Sequence, residues 1–157
     1  MRQICPLEVK HHDAVVEVYR QAVLCCPAAL YTAAQQSAWE AQASRLRPTL
    51  LQGQGLVSCG ADGQIEAFGL REPEDRVSLL YCHPRSWRQG HAQAVLHALE
   101  AEALAAGCRL LRTEASFLSR SLFAKQGWQV SWQEELRIGD QRFRRFRMHK
   151  QLGSILA

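Results

Sequence analysis

Arg85, Arg88, Gln89 and Gly90 stand between a strand-like run and a helix-like run, and this is where the sequence offers chemistry. Val77–Cys82 is apolar and stops at Pro84, which has no N–H to give to a ladder. Beyond Gly90, the residues Ala92, Val95, Leu96, Leu99, Ala103 and Leu104 recur at spacings of three and four as far as Gly107, a helix with one apolar face and a glycine at its end. Gly90 lets the backbone turn tightly and approach a ligand. The first N–H groups of the helix lack intrahelical partners and lie at the positive end of its dipole. Arg88–Gln93 is therefore a candidate anion site, suited to phosphate or pyrophosphate. The same residues also fit an ordinary crossover with solvated arginines, and one glycine with two arginines does not decide between the two.

Other chemistries find less support. Ser116, Ser119 and Ser121 have no His/Asp constellation of hydrolase spacing. His11 and His12 are adjacent without a partner cluster, so no metal site is expected. Cys5, Cys25, Cys26, Cys59, Cys82 and Cys108 form no C-x-x-C pair and read as small hydrophobes in a reducing compartment. Trp39, Trp87, Trp128 and Trp132 fall on different elements and make no base-stacking platform. The net charge of +4 sits largely in Arg137–Lys150, where Asp140 is the only acid. There Phe146 and Met148 alternate with Arg145 and Arg147, a strand with one solvated face, so no nucleic-acid site is expected. Phe143 breaks that phase and implies a bulge or a turn edge.

A chain of 157 residues, 47% apolar and 22% charged, fits one globular domain, placed at residues 1–152 with a tail at 153–157. No run of about 18 apolar residues and no signal-peptide core occur, so a cytoplasmic protein without a membrane partner is expected.

The elements that must position the loop follow from periodicity and punctuation. Arg2–Leu7 is a first strand. Asp13 starts a helix whose face is Val15, Val18, Tyr19, Ala22, Val23 and Cys26, stopped by Pro27. Thr32 caps a second helix from Ala33 to Arg47, with Trp39 and Leu46 inward and Pro48 as its stop. Leu56–Cys59 and Gln64–Arg71 form a hairpin about Ala61-Asp62-Gly63. Arg109–Thr113 is a strand, Ser116–Gln126 a helix capped by Ser116 and ended by Gly127, and Trp128–Leu136 pairs with the arginine-rich strand across Ile138-Gly139-Asp140. The order is β-α-α-β-β-β-α-β-α-β-β. The strand–helix–strand unit from Val77 to Thr113 implies a parallel pair with a right-handed crossover. Antiparallel hairpins flank it, giving a mixed α/β sheet with helices on both faces.

The segment Leu80-Tyr81-Cys82-His83-Pro84 with Arg88-Gln89-Gly90-His91-Ala92 resembles motif A, Q/R-x-x-G-x-G/A, of the GNAT superfamily of acetyl-CoA-dependent N-acetyltransferases. Gly90 and Ala92 match, and Trp87 stands at the Q/R position. Thr113–Ser116 with Phe123–Trp128 resembles motif B, and Met148–Leu152 resembles a terminal M-x-K-x-L. Tyr31-Thr32 with Gln35 or Gln36 and Trp39 resembles a segment of the small bacterial YafP-like subgroup.

The resemblance spans nearly the whole chain. It implies a mostly antiparallel sheet with a splayed parallel strand pair, and acetyl-CoA as co-substrate with no metal. It also implies transfer to a primary amine of a small molecule or peptide by a monomer or homodimer. The cofactor-binding residues it implies are Leu80, Tyr81, Cys82, Arg88, Gln89, Gly90, His91, Ala92, Gln93 and Lys125. A backbone N–H near Tyr81 or Cys82 would polarise the thioester carbonyl. Where many relatives place a tyrosine acid this chain has Phe123, and where some place an early acidic residue it has Ser78. Tyr31, Glu66, Glu72, His83 and Glu114 remain as candidates for proton transfer, with Glu114 and Tyr31 first. The alternative is a GNAT-fold module that binds or senses CoA without turnover.

Overall fold

Both faces of one sheet carry a core, and the strand sequences show why. The computed structural model describes residues 2–153. Residues 154–157, most of the expected tail, lie outside the described residues. The strands are β1 (Gln3–Pro6), β2 (Gln54–Cys59), β3 (Ile65–Arg71), β4 (Arg76–Cys82), β5 (Leu110–Ala115), β6 (Gln129–Ile138) and β7 (Gln141–Gln151). They lie in the spatial order β1-β2-β3-β4-β5-β7-β6, antiparallel throughout except for β4 and β5. The helices are α1 (His12–Leu24), α2 (Ala33–Glu40), α3 (Leu46–Leu50), α4 (His91–Ala105) and α5 (Arg120–Lys125).

Interior strand β3 is buried at every position, as a strand covered on both faces must be. One core joins Leu56, Ala67, Val77, Leu111, Phe146 and Met148 to Val95, Leu96, Leu99 and Ala103 of α4. The other joins Val57, Phe68 and Phe143 to α1, α2 and α3 through Val15, Val18, Val23, Trp39, Leu46 and Leu50. Helix α4 lies directly on β3: a Cβ built on Gly69 would stand 2.8 Å from both Val95 and Leu99. Any side chain there would lift α4 and move its N-terminus, where the candidate anion site is.

Several sequence expectations change in detail. The helix expected from Ala33 to Arg47 breaks into α2, a 3-10 stretch over Ala41–Arg45, and α3. Thr32 does cap α2, accepting from Gln35 N–H at 3.1 Å. Pro48 does not stop a helix but sits in the first turn of α3, where a missing N–H has no consequence. Asp13 lies inside the first turn of α1, which starts at His12 without a side-chain cap, and pairs with Arg47 at 2.6 Å. Ser116 caps a tight turn rather than α5, which begins at Arg120. Phe143 marks no bulge: it pairs in register with Leu136, and the irregularity lies on β6 between Val130 and Trp132. Its break of phase reflects the two cores, since Phe143 packs on one face of β7 and Phe146 with Met148 on the other.

The arginines of β7 are largely matched across the sheet. Glu134 faces Arg145 across β6 and β7, and binds both Arg145 and Arg147. Arg147 in turn faces Glu114 of β5. The bond from Arg147 to Glu134, aided by Arg145, pulls the Glu134 carboxyl from the ordinary 4.5 down to about 2. A carboxyl lowered in the folded state stabilises the fold above its unfolded pKa, and that contribution is lost as pH falls through the folded value. Thermal melting should therefore show wild type more stable than Glu134→Gln near neutrality. The gap should close between pH 4.5 and about 2. A gap constant across that window would show that the charge of Glu134 adds nothing to stability.

Candidate active site

The parallel pair β4–β5 opens after two residue pairs. Arg76 faces Arg112 and Val77 faces Thr113, and beyond them Ser78–Cys82 and Glu114–Ala115 run on unpaired to each other. Three clips close the fork. Thr113 Oγ1 donates to the Val77 carbonyl at 2.7 Å, Arg112 N–H donates to the Asp75 carbonyl at 3.0 Å, and Arg76 grips both oxygens of Glu114 at 2.6–3.1 Å. The Glu114 side chain is only 8% exposed, and Arg147 Nη1 stands 3.9 Å from its second oxygen.

A bulge sets the direction of the β4 backbone. Leu79 pairs with Leu70 and Val77 with Arg71, so Ser78 has no opposite number. The His83 N–H donates to Glu66 carbonyl at 2.7 Å, which fixes the alternation beyond the bulge. Leu79 and Tyr81 bond to β3, and the backbone groups of Leu80 and Cys82 point across the splay. The Trp87 indole N–H takes the Cys82 carbonyl at 2.8 Å, so this residue ties the loop to the end of β4.

The loop that follows turns in two left-handed steps, Arg88 at φ +64° and Gly90 at φ +87°. An arginine in that region is uncommon and strained. The helical ladder of α4 begins with Ala94 N–H on the Gly90 carbonyl at 3.0 Å, leaving the N–H groups of His91, Ala92 and Gln93 ahead of it. The splay and the loop share one cavity of about 910 Å³, large enough to hold an organic ligand.

Leu80, Tyr81, Cys82, Arg88, Gly90, His91, Ala92, Gln93, Lys125, Tyr31 and Glu114 all line this cavity. Gln89 does not. Its amide turns back to the Arg85 carbonyl, its own carbonyl accepts from Arg2, and it borders a smaller pocket behind the loop. His91 offers only its backbone, because its imidazole is buried against Ser58 Oγ at 2.8 Å. Burial, with Arg2 nearby, lowers the pKa of that ring. Arg85 is turned away and neutralised by Glu66 at 2.6 Å. Glu66, Glu72 and His83 do not line the cavity. Phe123 does, buried edge-on against Trp128 at 4.9 Å.

Tyr31 is buried among Trp39, Phe117 and Phe143, and its hydroxyl accepts from Phe117 N–H at 2.9 Å. Burial raises its pKa. Burial likewise pushes the Cys82 thiol up to about 11, so it stays protonated and is a poor nucleophile. Among the described residues no cluster of three or more His, Cys, Asp or Glu could hold a metal ion, and no helix is long and apolar enough to cross a membrane. The residue the sequence did not single out is Arg76. Its partner Glu114 lies two residues beyond Arg112, the residue Arg76 faces across the parallel pair, a relation fixed only by the fold.

A seven-stranded mixed sheet whose one parallel pair splays toward a helix N-terminus defines the GNAT class of acetyltransferases. The model of the acetyltransferase (GNAT) family matches residues 18–128, and the chain belongs to that family, whose members transfer acetyl from acetyl-CoA. No curated protein matches the sequence. Among solved structures, a GCN5-related N-acetyltransferase from Rhodopseudomonas palustris superposes with TM-score 0.91 at 22% identity, covering 97% of this chain and 96% of that one. The yncA protein of Salmonella typhimurium, solved with its cofactor acetyl-CoA, gives 0.68 at 21% identity, covering 100% and 97%. The paia N-acetyltransferase of Thermoplasma acidophilum, in complex with coenzyme A, gives 0.70 at 18%, covering 96% and 99%.

Proposed function

We propose that this protein transfers an acetyl group from acetyl-CoA to a primary amine of a small molecule or a peptide. The observation that carries the reading is the splay itself, which exposes β4 backbone groups along one wall and ends at the unpaired N–H groups of α4. When bound, acetyl-CoA supplies an activated acyl group. Over the backbone of Arg88–Gln93, the N–H groups of Arg88 and of Gly90–Gln93 hold its diphosphate at the positive end of α4, with the Arg88 and Lys125 side chains beside them. The Gln89 N–H is given to the Ser86 carbonyl. Gln89 takes no part through its side chain. The backbone of Leu80 and Cys82 holds the pantetheine amides. Glu114, fixed at the fork by Arg76, meets the ammonium of the incoming acceptor. Tyr31 walls the acceptor side and keeps water from the fork with Trp39 and Phe143.

The capping box of Thr32 and Gln35, with Tyr31 and Trp39 buried beside it, supports placement in the YafP-like subgroup. Six unpaired cysteines support a reducing, cytoplasmic setting, and one domain over residues 1–152 completes the reading.

One observation favours a CoA-sensing module instead: Phe123 offers no proton where a thiolate must leave. Release of free thiol from acetyl-CoA over a panel of primary amines separates the two. Turnover with at least one amine is expected. Calorimetric CoA binding without turnover on any amine would favour the sensor, and no binding at millimolar CoA would contradict both.

A further inference from the structure

The turn that follows β5 contains a hydroxyl whose direction can be deduced by counting protons. Ser116 Oγ accepts the N–H groups of Leu118 and Ser119, each at 3.1 Å, which fills its two lone pairs. With both lone pairs taken, the contact with Ser119 Oγ at 3.2 Å is assigned as a donation from Ser116 to Ser119, although the Tyr31 oxygen also lies near the Ser116 hydroxyl. Ser119 Oγ also accepts the Ser116 N–H at 3.1 Å, so its lone pairs are filled as well. The Tyr31 phenol beside this turn is held by Phe117 N–H. The Ser119 O–H is thus a donor with no acceptor in the turn and with no capacity to accept. Ser119 lines the cavity, and it stands one helical turn before Phe123, on the same face.

We propose that Ser119 is the hydrogen-bond donor to the coenzyme sulfur, the group that stabilises the leaving thiolate in place of an acid on α5. The inference rests on the acetyl-transfer reading above. In the step, the C–N bond forms as the C–S bond breaks, and the C–S electron pair stays on sulfur. The proton that sulfur finally carries is the one lost by the acceptor nitrogen, so Ser119 ends unchanged and nothing is oxidised or reduced. A hydroxyl that can only donate suits this role, because it cannot compete as a base for the ammonium. Ser116 is a positioning residue, since its donation aims the Ser119 proton.

The test uses the full chain with bound CoA and follows the ultraviolet absorbance of the thiolate as pH is raised. A donor at sulfur lowers the pKa of the bound thiol. Ser119→Ala should raise that pKa by about one unit, a tenfold change in the ionisation constant. CoA affinity below pH 7, read by calorimetry, should stay within about twofold, because the thiol is then uncharged in both proteins. Ser119→Thr keeps the hydroxyl and its accepting bonds and should restore the wild-type titration, which separates donation from mere support of the turn. Lys125 and Tyr31 also line the cavity and are the same in all three proteins, so they cancel in the comparison. The value of kcat/KM for acetyl transfer should fall about 100-fold in Ser119→Ala and recover in Ser119→Thr. Identical thiol titrations in wild type and Ser119→Ala, with CoA bound to both, would overturn the role of Ser119 and leave the acetyltransferase reading intact. Failure of the wild type to bind CoA would overturn both.

Discussion

Replacing Gly90 by valine should lower CoA affinity more than about 100-fold while the sheet and its two cores remain folded. Gly90 caps α4 at φ +87°, a conformation that a β-branched residue resists. A Cβ there would stand 2.7 Å from the Arg2 guanidinium, which braces the loop through the Gln89 carbonyl. Relief of either strain turns the N–H groups of His91, Ala92 and Gln93 away from the cavity. Hydrogen bonds to a charged group contribute about 1.5–3 kcal/mol each, so two lost contacts account for the predicted factor. Gly107→Ala is the control. Gly107 has φ +95° at the other end of the same helix, and among the described residues nothing lies within 4 Å of its Cβ position. That variant should lose about 1 kcal/mol of stability and bind CoA as wild type does. Equal losses of affinity in the two variants would show that α4 responds to strain as a whole and that the loop has no special role.

The second large effect is expected at the fork. Arg76→Met removes three hydrogen bonds from a carboxylate that is 8% exposed, leaving Arg147 at 3.9 Å as the nearest cation. Breaking a buried pair by deleting one partner typically costs about 3–5 kcal/mol. Arg76 keeps 29% of its side chain in water, which places the expectation near the lower end, about 3 kcal/mol or roughly 10 °C in Tm. The double variant Arg76→Met, Glu114→Leu should recover most of that stability, since no uncompensated charge remains. Denaturant unfolding of wild type, both single variants and the double variant measures the coupling. Additive losses would show that the clip does not hold the fork.

Much of this architecture is legible in the sequence because its signals are local. The period of α4, the prolines after β4 and α1, and the turn glycines at 63, 107 and 127 each act within a few residues. What the sequence does not carry is whatever depends on two faces or two strands at once. Phe143 breaks the alternation of β7 because a second core lies on the opposite face, and a single-face reading turns that into a bulge. The pairing of Arg76 with Glu114 depends on parallel register. In the loop, Gly90 and Ala92 stand out by type, but the two left-handed steps that turn Gln89 outward are visible only in the backbone. Trp87 departs from the motif by type, yet it serves the same loop through its indole bond to Cys82.

CoA is expected to enter the splay with its diphosphate on the N-terminus of α4, and a crystal structure of the CoA complex would test that placement. The expected density places diphosphate oxygens within hydrogen-bond distance of N–H groups of Arg88–Gln93. It also places the pantetheine amides against the backbone of Leu80 and Cys82, and the sulfur at the fork beside Ser119. Density for CoA outside the splay, or with its diphosphate away from that loop, would overturn this placement.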